Sequence, residues 1–266
     1  MIDPIFFYRI RLIVLTLAIS TLYIQCGCQN PTVGDLEKHK KNQDKKIDKV
    51  KKLELGIKLA IAKKDTKTLK ELIERADELP PSTDNNPYLI LATRNNYLEG
   101  VQLLLQKLKI KDINAQDEKG YTALHWAAEK GSTAIVNTLL NTKKANIHIQ
   151  SKIYKDTPLL IAAREQYPEI VKSLTAFDAS AEHINARDSW GNSALILVLS
   201  DDSKHGNKLA IVNILLEKKA DLTIKGAEGQ TALELATEQA NRRLYKLDPA
   251  KEMQKIKKAL ENASKA

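Results

Sequence analysis

Few residues in this chain are of a kind and spacing that could do chemistry. The five histidines are His39, His125, His148, His183 and His205, and no two share a metal-ligand spacing on one helix. Cys26 and Cys28 are the only cysteines; no third and fourth ligand lie nearby, so they do not make a structural zinc site. The neighbouring acids Asp201 and Asp202 could bind a cation, but within the polar run 201–207 they read as a solvated loop. No glycine-rich phosphate loop, serine nucleophile elbow or cysteine nucleophile pocket is written in the chain. There is no warrant here for an enzyme, and no catalytic, cofactor-binding or metal-ligating residue is assigned.

The elements that would position any functional side chain are repeats. In Asp117 to Gln150 the apolar residues form two short helical stripes, Leu124, Ala127 and Ala128, then Ile135, Val136, Leu139 and Leu140. Gly131 lies between them, where a tight turn needs positive φ. Thr122 precedes the first stripe as a helix cap, and Asp117 with Gly120 marks a turn before it. One such unit cannot bury its stripes alone and predicts neighbours. A Leu-x-x-Ala pair recurs as Leu59/Ala62, Leu89/Ala92, Leu124/Ala127, Leu159/Ala162 and Leu233/Ala236, with Leu195/Val198 in the same series. A second register runs Leu69-x-x-Leu72, Val101-x-x-Leu104, Val136-x-x-Leu139, Val171-x-x-Leu174 and Val212-x-x-Leu215. The interval is roughly 30 to 38 residues, which brackets a period of about 33.

These registers resemble those of ankyrin-repeat proteins. Thr122-Ala123-Leu124-His125, Thr157-Pro158-Leu159-Leu160, Ser193-Ala194-Leu195-Ile196 and Thr231-Ala232-Leu233-Glu234 stand at that family's T-P-L-H signature. The glycine ending the first helix is kept at Gly131 and becomes Asn96 and Gln166 in the flanking repeats. The resemblance covers roughly residues 56 to 262 and implies an all-α solenoid of stacked helix-turn-helix units with connecting hairpin loops. It divides the chain into a targeting segment at 1–28, a lysine-rich and partly helical tether at 29–54, and a repeat domain at 55–262 with about six units, the end ones capping. In the first unit Leu59, Ala62, Leu69, Leu72 and Ile73 face inward, and Lys58, Lys63, Lys64, Lys67 and Lys70 are available for the outer face. The low aromatic content, 5%, against 43% hydrophobic residues suits a core of Leu, Ile, Val and Ala in thin layers.

What the resemblance implies about function is binding, through hairpin tips and the concave face. Carried over by position, the tips are Glu118, Lys119 and Tyr121, then Ile153, Tyr154 and Asp156, then Ser189, Trp190 and Asn192; the helix ends are Glu129, Lys130, Arg164 and Glu165. Of these, Glu118, Lys119, Tyr121, Lys130, Tyr154, Arg164, Trp190 and Asn192 form the expected protein-binding set. Tyr121, Tyr154 and Trp190 would make an aromatic ridge of the kind enriched at binding hot spots, or would pack across neighbouring turns; both readings stay open. His125 is expected to tie adjacent repeats through backbone hydrogen bonds, and His183 and Trp126 to be partly buried structure.

The first residues read as a targeting signal. Arg9 and Arg11 form a positive region ahead of the uncharged apolar run Leu12 to Ile24, which is short for a spanning helix of roughly 20 residues. Cys26 and Cys28 follow at once, a placement that resembles a bacterial lipoprotein signal with Cys28, or alternatively Cys26, as the lipidated residue. An ordinary cleaved secretory signal and an uncleaved anchor are the other readings. The lysines from Lys38 to Lys52 are interspersed with Asp44 and Asp48, which favours a solvated spacer over a clamp for lipid heads or nucleic acid. The net charge of +9 is diffuse and identifies no partner. The expected protein is thus a monomeric, exported binding module without cofactor or nucleic acid, held to a membrane through an N-terminal lipid anchor and engaging a protein partner. The alternative is a secreted effector that binds host proteins.

Overall fold

Each repeat is assembled from local signals that the chain repeats with small changes. The computed structural model describes residues 33–76, 79–80, 87–107, 113–200, 207–242 and 247–265. Residues 1–28, read above as a targeting signal with Cys26 and Cys28, lie outside the described residues, as do Asp201 to Gly206. The chain divides into two units, residues 1–52 and 53–266. Helix α1 (Val33–Lys63) supplies the described residues of the first unit and opens the second. It starts well before the Ile47, Val50 and Leu53 spacing suggests, and residues 37–52 are exposed apart from half-buried Ile47. Among the described residues no helix is long and apolar enough to cross a membrane.

Residues 53–266 hold the stacked helix pairs. After α1 come α2 (Thr66–Arg75), α3 (Tyr88–Arg94), α4 (Leu98–Lys107), α5 (Ala123–Glu129), α6 (Thr133–Asn141), α7 (Pro158–Arg164) and α8 (Pro168–Phe177). A one-turn helix α9 (Ala181–Ile184) precedes α10 (Ala194–Ser200), α11 (Lys208–Glu217), α12 (Ala232–Arg242) and α13 (Leu247–Ala263). No strand occurs among the described residues; the hairpins contribute isolated bridges, Arg187 with Ser193 and Lys225 with Thr231. The first helix of a repeat is short because caps close both ends. Thr122 and Thr157 accept from the backbone N–H of His125 and Leu160. Nine residues after the cap the chain must enter the left-handed region to turn, and Asn96, Gly131 and Gln166 do so at φ of 48°, 67° and 60°. In each case the next N–H reaches back to the repeat's buried alanine: Tyr97 to Ala92, Ser132 to Ala127 and Tyr167 to Ala162, at 3.0, 2.9 and 3.0 Å. The sequence places all three turns correctly, glycine or not.

The same bond corrects the register of the first unit. Asp65 N–H donates to the Ala60 carbonyl at 2.9 Å, and Lys64 takes the left-handed position at φ 54°. The inward pair is therefore Ile57/Ala60, both buried, while Leu59 is 51% exposed and Ala62 is exposed. Lys58 is also not an outer-face lysine: it is half-buried and pairs with buried Glu54 at 2.6 Å. In the four units that follow the two expected registers hold, whereas Leu72 and Leu233 are only half-buried. Leu89, Leu124, Leu159 and Leu195 are buried with Ala92, Ala127, Ala162 and Val198, and Val101, Val136, Val171 and Val212 are buried with Leu104, Leu139, Leu174 and Leu215. These residues belong to one core, as layers that each close on the next. In the last unit the break is shorter than the sequence suggests, since α12 reaches Arg242 and α13 starts at Leu247.

Candidate functional site

The hairpins between repeats are built by a short polar device. Asp117 Oδ1 accepts from the N–H groups of Lys119 and Tyr121 at 3.0 and 2.9 Å, and Gly120 N–H donates to the Asp117 carbonyl. Asp188 does the same with Trp190 and Asn192, at 2.9 and 2.8 Å, around Gly191. Gly120 and Gly191 have φ of 79° and 85°, and Gly229 in the next hairpin has 75°. The intervening hairpin is one residue longer, closing Ser151 N–H onto the Asp156 carbonyl, and Lys155 takes the glycine's place at φ 52°. Successive hairpins are linked, Lys152 N–H to the Lys119 carbonyl and Ser189 N–H to the Tyr154 carbonyl, at 3.0 and 2.8 Å.

Counting from the left-handed residue sorts the expected site into two rows. Lys119, Tyr154, Trp190 and Glu228 precede it and are all exposed; Tyr121, Asp156, Asn192 and Gln230 follow it and turn inward. Tyr154 and Trp190 are 43% and 54% exposed, and their rings stack at 5.1 Å between centroids and 22° between planes. Tyr121 does not extend this ridge. It is buried, stacked 5.3 Å from the His125 ring and edge-on to Trp126 at 5.3 Å. Burial, with the nearby carboxylates of Asp156 and Glu129, pushes its phenol up to about 12.

Under the tips lies a hydrogen-bonded layer. Arg164 grips buried Asp156 with two parallel bonds of 3.0 and 2.8 Å. His125 is fully buried; its Nδ1 accepts from Thr122 N–H at 3.2 Å, which leaves Nε2–H to donate to the Asp156 carbonyl at 3.1 Å. This is the expected tie between repeats, and burial pushes the ring down to about 4. Asn192 accepts from Ala227 N–H at 2.8 Å and donates to Asp188 at 3.1 Å, joining two hairpins. Trp126 is buried and donates Nε1–H to Asp117 at 2.8 Å. Arg94, Lys119 and Lys130 stand 4.7, 5.4 and 5.9 Å from its ring centre. His183 is buried too, with neither ring nitrogen hydrogen-bonded among the described residues; burial pushes it down to about 4.

Tyr121, Tyr154, Arg164, Trp190 and Asn192 line one groove of about 660 Å³. Lys119 and Lys130 gather instead over Trp126, and Glu118 is exposed at its own tip. The far half of the groove was not read from the sequence: Ile196 and Leu235 with Glu228 and Glu238 complete it. The signal for Glu228 was available, because Gly226-Ala227-Glu228-Gly229-Gln230 has the glycine spacing of Asp188-Ser189-Trp190-Gly191-Asn192.

Known proteins share this build. The family described as "Ankyrin repeats (3 copies)" matches residues 57–151 and 108–188. Alpha-latrotoxin-Lg1a of Latrodectus geometricus is 38% identical over 85 residues, 31% of this chain and 6% of that protein. FPV228 of fowlpox virus (strain NVSL), named as an ankyrin repeat protein, is 34% identical over 128 residues, 43% of this chain and 23% of that protein. The chain therefore spans under a quarter of the length of either relative. The crystal structure of EF0377, an ankyrin repeat protein, superposes on 77% of this chain and 96% of its own with a TM-score of 0.65 at 24% identity, which establishes the shared fold. Residues 57–188 match the ankyrin-repeat family model, and the chain shares the fold of an ankyrin repeat protein.

Proposed function

We propose that the chain is a membrane-tethered recognition module that holds a partner protein between its hairpin tips and its concave face, in the groove under Tyr154 and Trp190. The single observation that carries this reading is the exposed, stacked pair of large rings at the lip of that groove. The part of the Trp190 ring left in water adds nothing to the fold, whereas Trp and Tyr are among the residues that supply most binding energy at interfaces. The inner row fixes the hairpins, so the rings meet a partner without reordering, which lowers the entropy cost of association. The tether in this reading is a lipid on Cys28, or on Cys26, with the lysine-rich helix as spacer.

Placing a photo-crosslinking amino acid at position 190, and separately at exposed Lys172 on the outer helix α8, tests the recognition half in the organism that makes the chain. A discrete adduct is expected from 190 and none from 172; adducts from 172 alone would put the interface on the opposite face. The anchor is tested with a clickable fatty acid. The label should vanish in Cys28→Ala, or in Cys26→Ala if the site is two residues earlier. Label lost in neither removes the tether and leaves the secreted alternative.

A further inference from the structure

The exposed row on the hairpins is graded in charge. It runs Lys119, Tyr154, Trp190, Glu228, one residue per repeat. On a chain of net charge +9, the groove beneath it is acidic. Asp188, Glu228 and Glu238 line it, and Arg164, its single cation among the described residues, is committed to the Asp156 fork. Arg187, a cation beside the Trp190 tip, is held on the carbonyls of Gly191 and Lys225 at 2.8 and 3.1 Å, while Lys155 and Lys225 stand exposed on the neighbouring hairpins outside the groove lining. At the opposite end of the row Lys119 stands with Arg94 and Lys130 around Trp126, where a further cation is repelled. Leu197, buried, and Leu235, half-buried, add apolar surface to the groove.

We infer that the partner presents an extended segment carrying a Lys or Arg side chain, seated against Trp190 and the carboxylate of Glu228, with apolar residues over the Tyr154 side. This rests on the protein-binding reading and names the chemistry of its partner. The cation gains from two sources at once, the face of the exposed indole and the negative charge of the groove's carboxylates. The same charge at the Lys119 end is disfavoured, so the row sets one register for the segment. Helix pairs that stack at ~8–10 Å put the three steps from Lys119 to Glu228 at ~24–30 Å. An extended chain covers that in roughly seven to nine residues.

A random dodecapeptide library selected on the immobilised full chain tests the assignment. Enriched peptides should carry a Lys or Arg beside apolar residues. Their affinity should fall at least tenfold in Trp190→Ser and in Glu228→Lys, with the helical circular dichroism of both variants unchanged. Changing the peptide's base to Glu should restore binding to Glu228→Lys, a rescue that no packing role would produce. Any of three results overturns the inference: no enriched peptide, an enriched set without a basic residue, or displacement of the peptides by spermidine, which would make the groove a small-cation site. Enriched peptides indifferent to Trp190→Ser and Glu228→Lys would also overturn it, while leaving the protein-binding reading intact.

Discussion

Tyr121 and Trp190 sit on hairpins with the same Asp-x-x-Gly core, yet one ring is buried and the other stands half in water. The left-handed residue between their positions decides the outcome. Trp190 precedes Gly191, whereas Tyr121 follows Gly120. The backbone reverses there, so a side chain before the turn is thrown out at the tip and one after it folds back over the next helix. Two rows result, one exposed at the tips and one that holds the hairpins. The members of the inner row share a role and no chemistry. Tyr121 stacks on His125, Asp156 binds Arg164, Asn192 ties the next hairpin, and Gln230 donates to Glu238 at 2.8 Å.

The sharpest way to break this comparison is to truncate one ring from each row. Tyr121→Ser should destabilise the fold by about 3–5 kcal/mol in denaturant unfolding, as loss of a buried aromatic does. Trp190→Ser should cost under about 1 kcal/mol, the worth of one exposed ring pair. Equal losses would erase the distinction between the rows.

Acid should act on the holding layer next. His125 resists its proton in the fold, at about 4 against 6.5, because burial penalises the charged ring. The unfolded chain takes that proton below pH 6.5, so the His125 contribution is complete above pH 6.5 and is lost as pH falls towards 4. The loss is at most roughly 3 kcal/mol. His183, depressed to about 4 by burial, adds a loss of the same sign in the same window. Denaturant midpoints at pH 7 and pH 4.5 should differ accordingly, and His125→Gln should shrink the difference. A flat profile over that range would mean that the ring is hydrated in the fold.

The smallest effect concerns the turn residue itself. Lys155 occupies the left-handed position that glycine fills in the neighbouring tips. Lys155→Gly should raise stability by up to about 1 kcal/mol, since a side chain at positive φ carries a steric cost that glycine does not. A loss of stability would show that the Lys155 side chain holds the longer hairpin in place.

The repeat architecture is legible in the sequence because its signals are local. Thr122 and Thr157 cap, Gly131 turns and Asp117 nucleates a hairpin within three to five residues of themselves, so a linear reading finds them. The first unit reads two residues out of register because α1 offers two apolar pairs at the same spacing, Leu59/Ala62 and Ile57/Ala60. The turn that chooses between them is made by Lys64, a residue that gives no turn signal. The groove is legible in half. Its near side carries over position by position, but Tyr121 reads as a tip unless the residue before the glycine is distinguished from the one after.

The sequence by itself determined the period, the helix caps, the alternation of helix and hairpin and the apolar stripes, since each follows from neighbours close in the chain. Tertiary structure decided which of those residues meet. Stacking, not local propensity, set the Tyr154 ring against Trp190, the His125 ring onto the Asp156 carbonyl and Glu228 beside a groove whose other wall comes from Tyr121 and Tyr154. The contacts join adjacent repeats and the groove lining spans roughly three, and their geometry depends on the rise and rotation from one layer to the next. That quantity is a property of the packed interface as a whole and is written in no single segment of the chain.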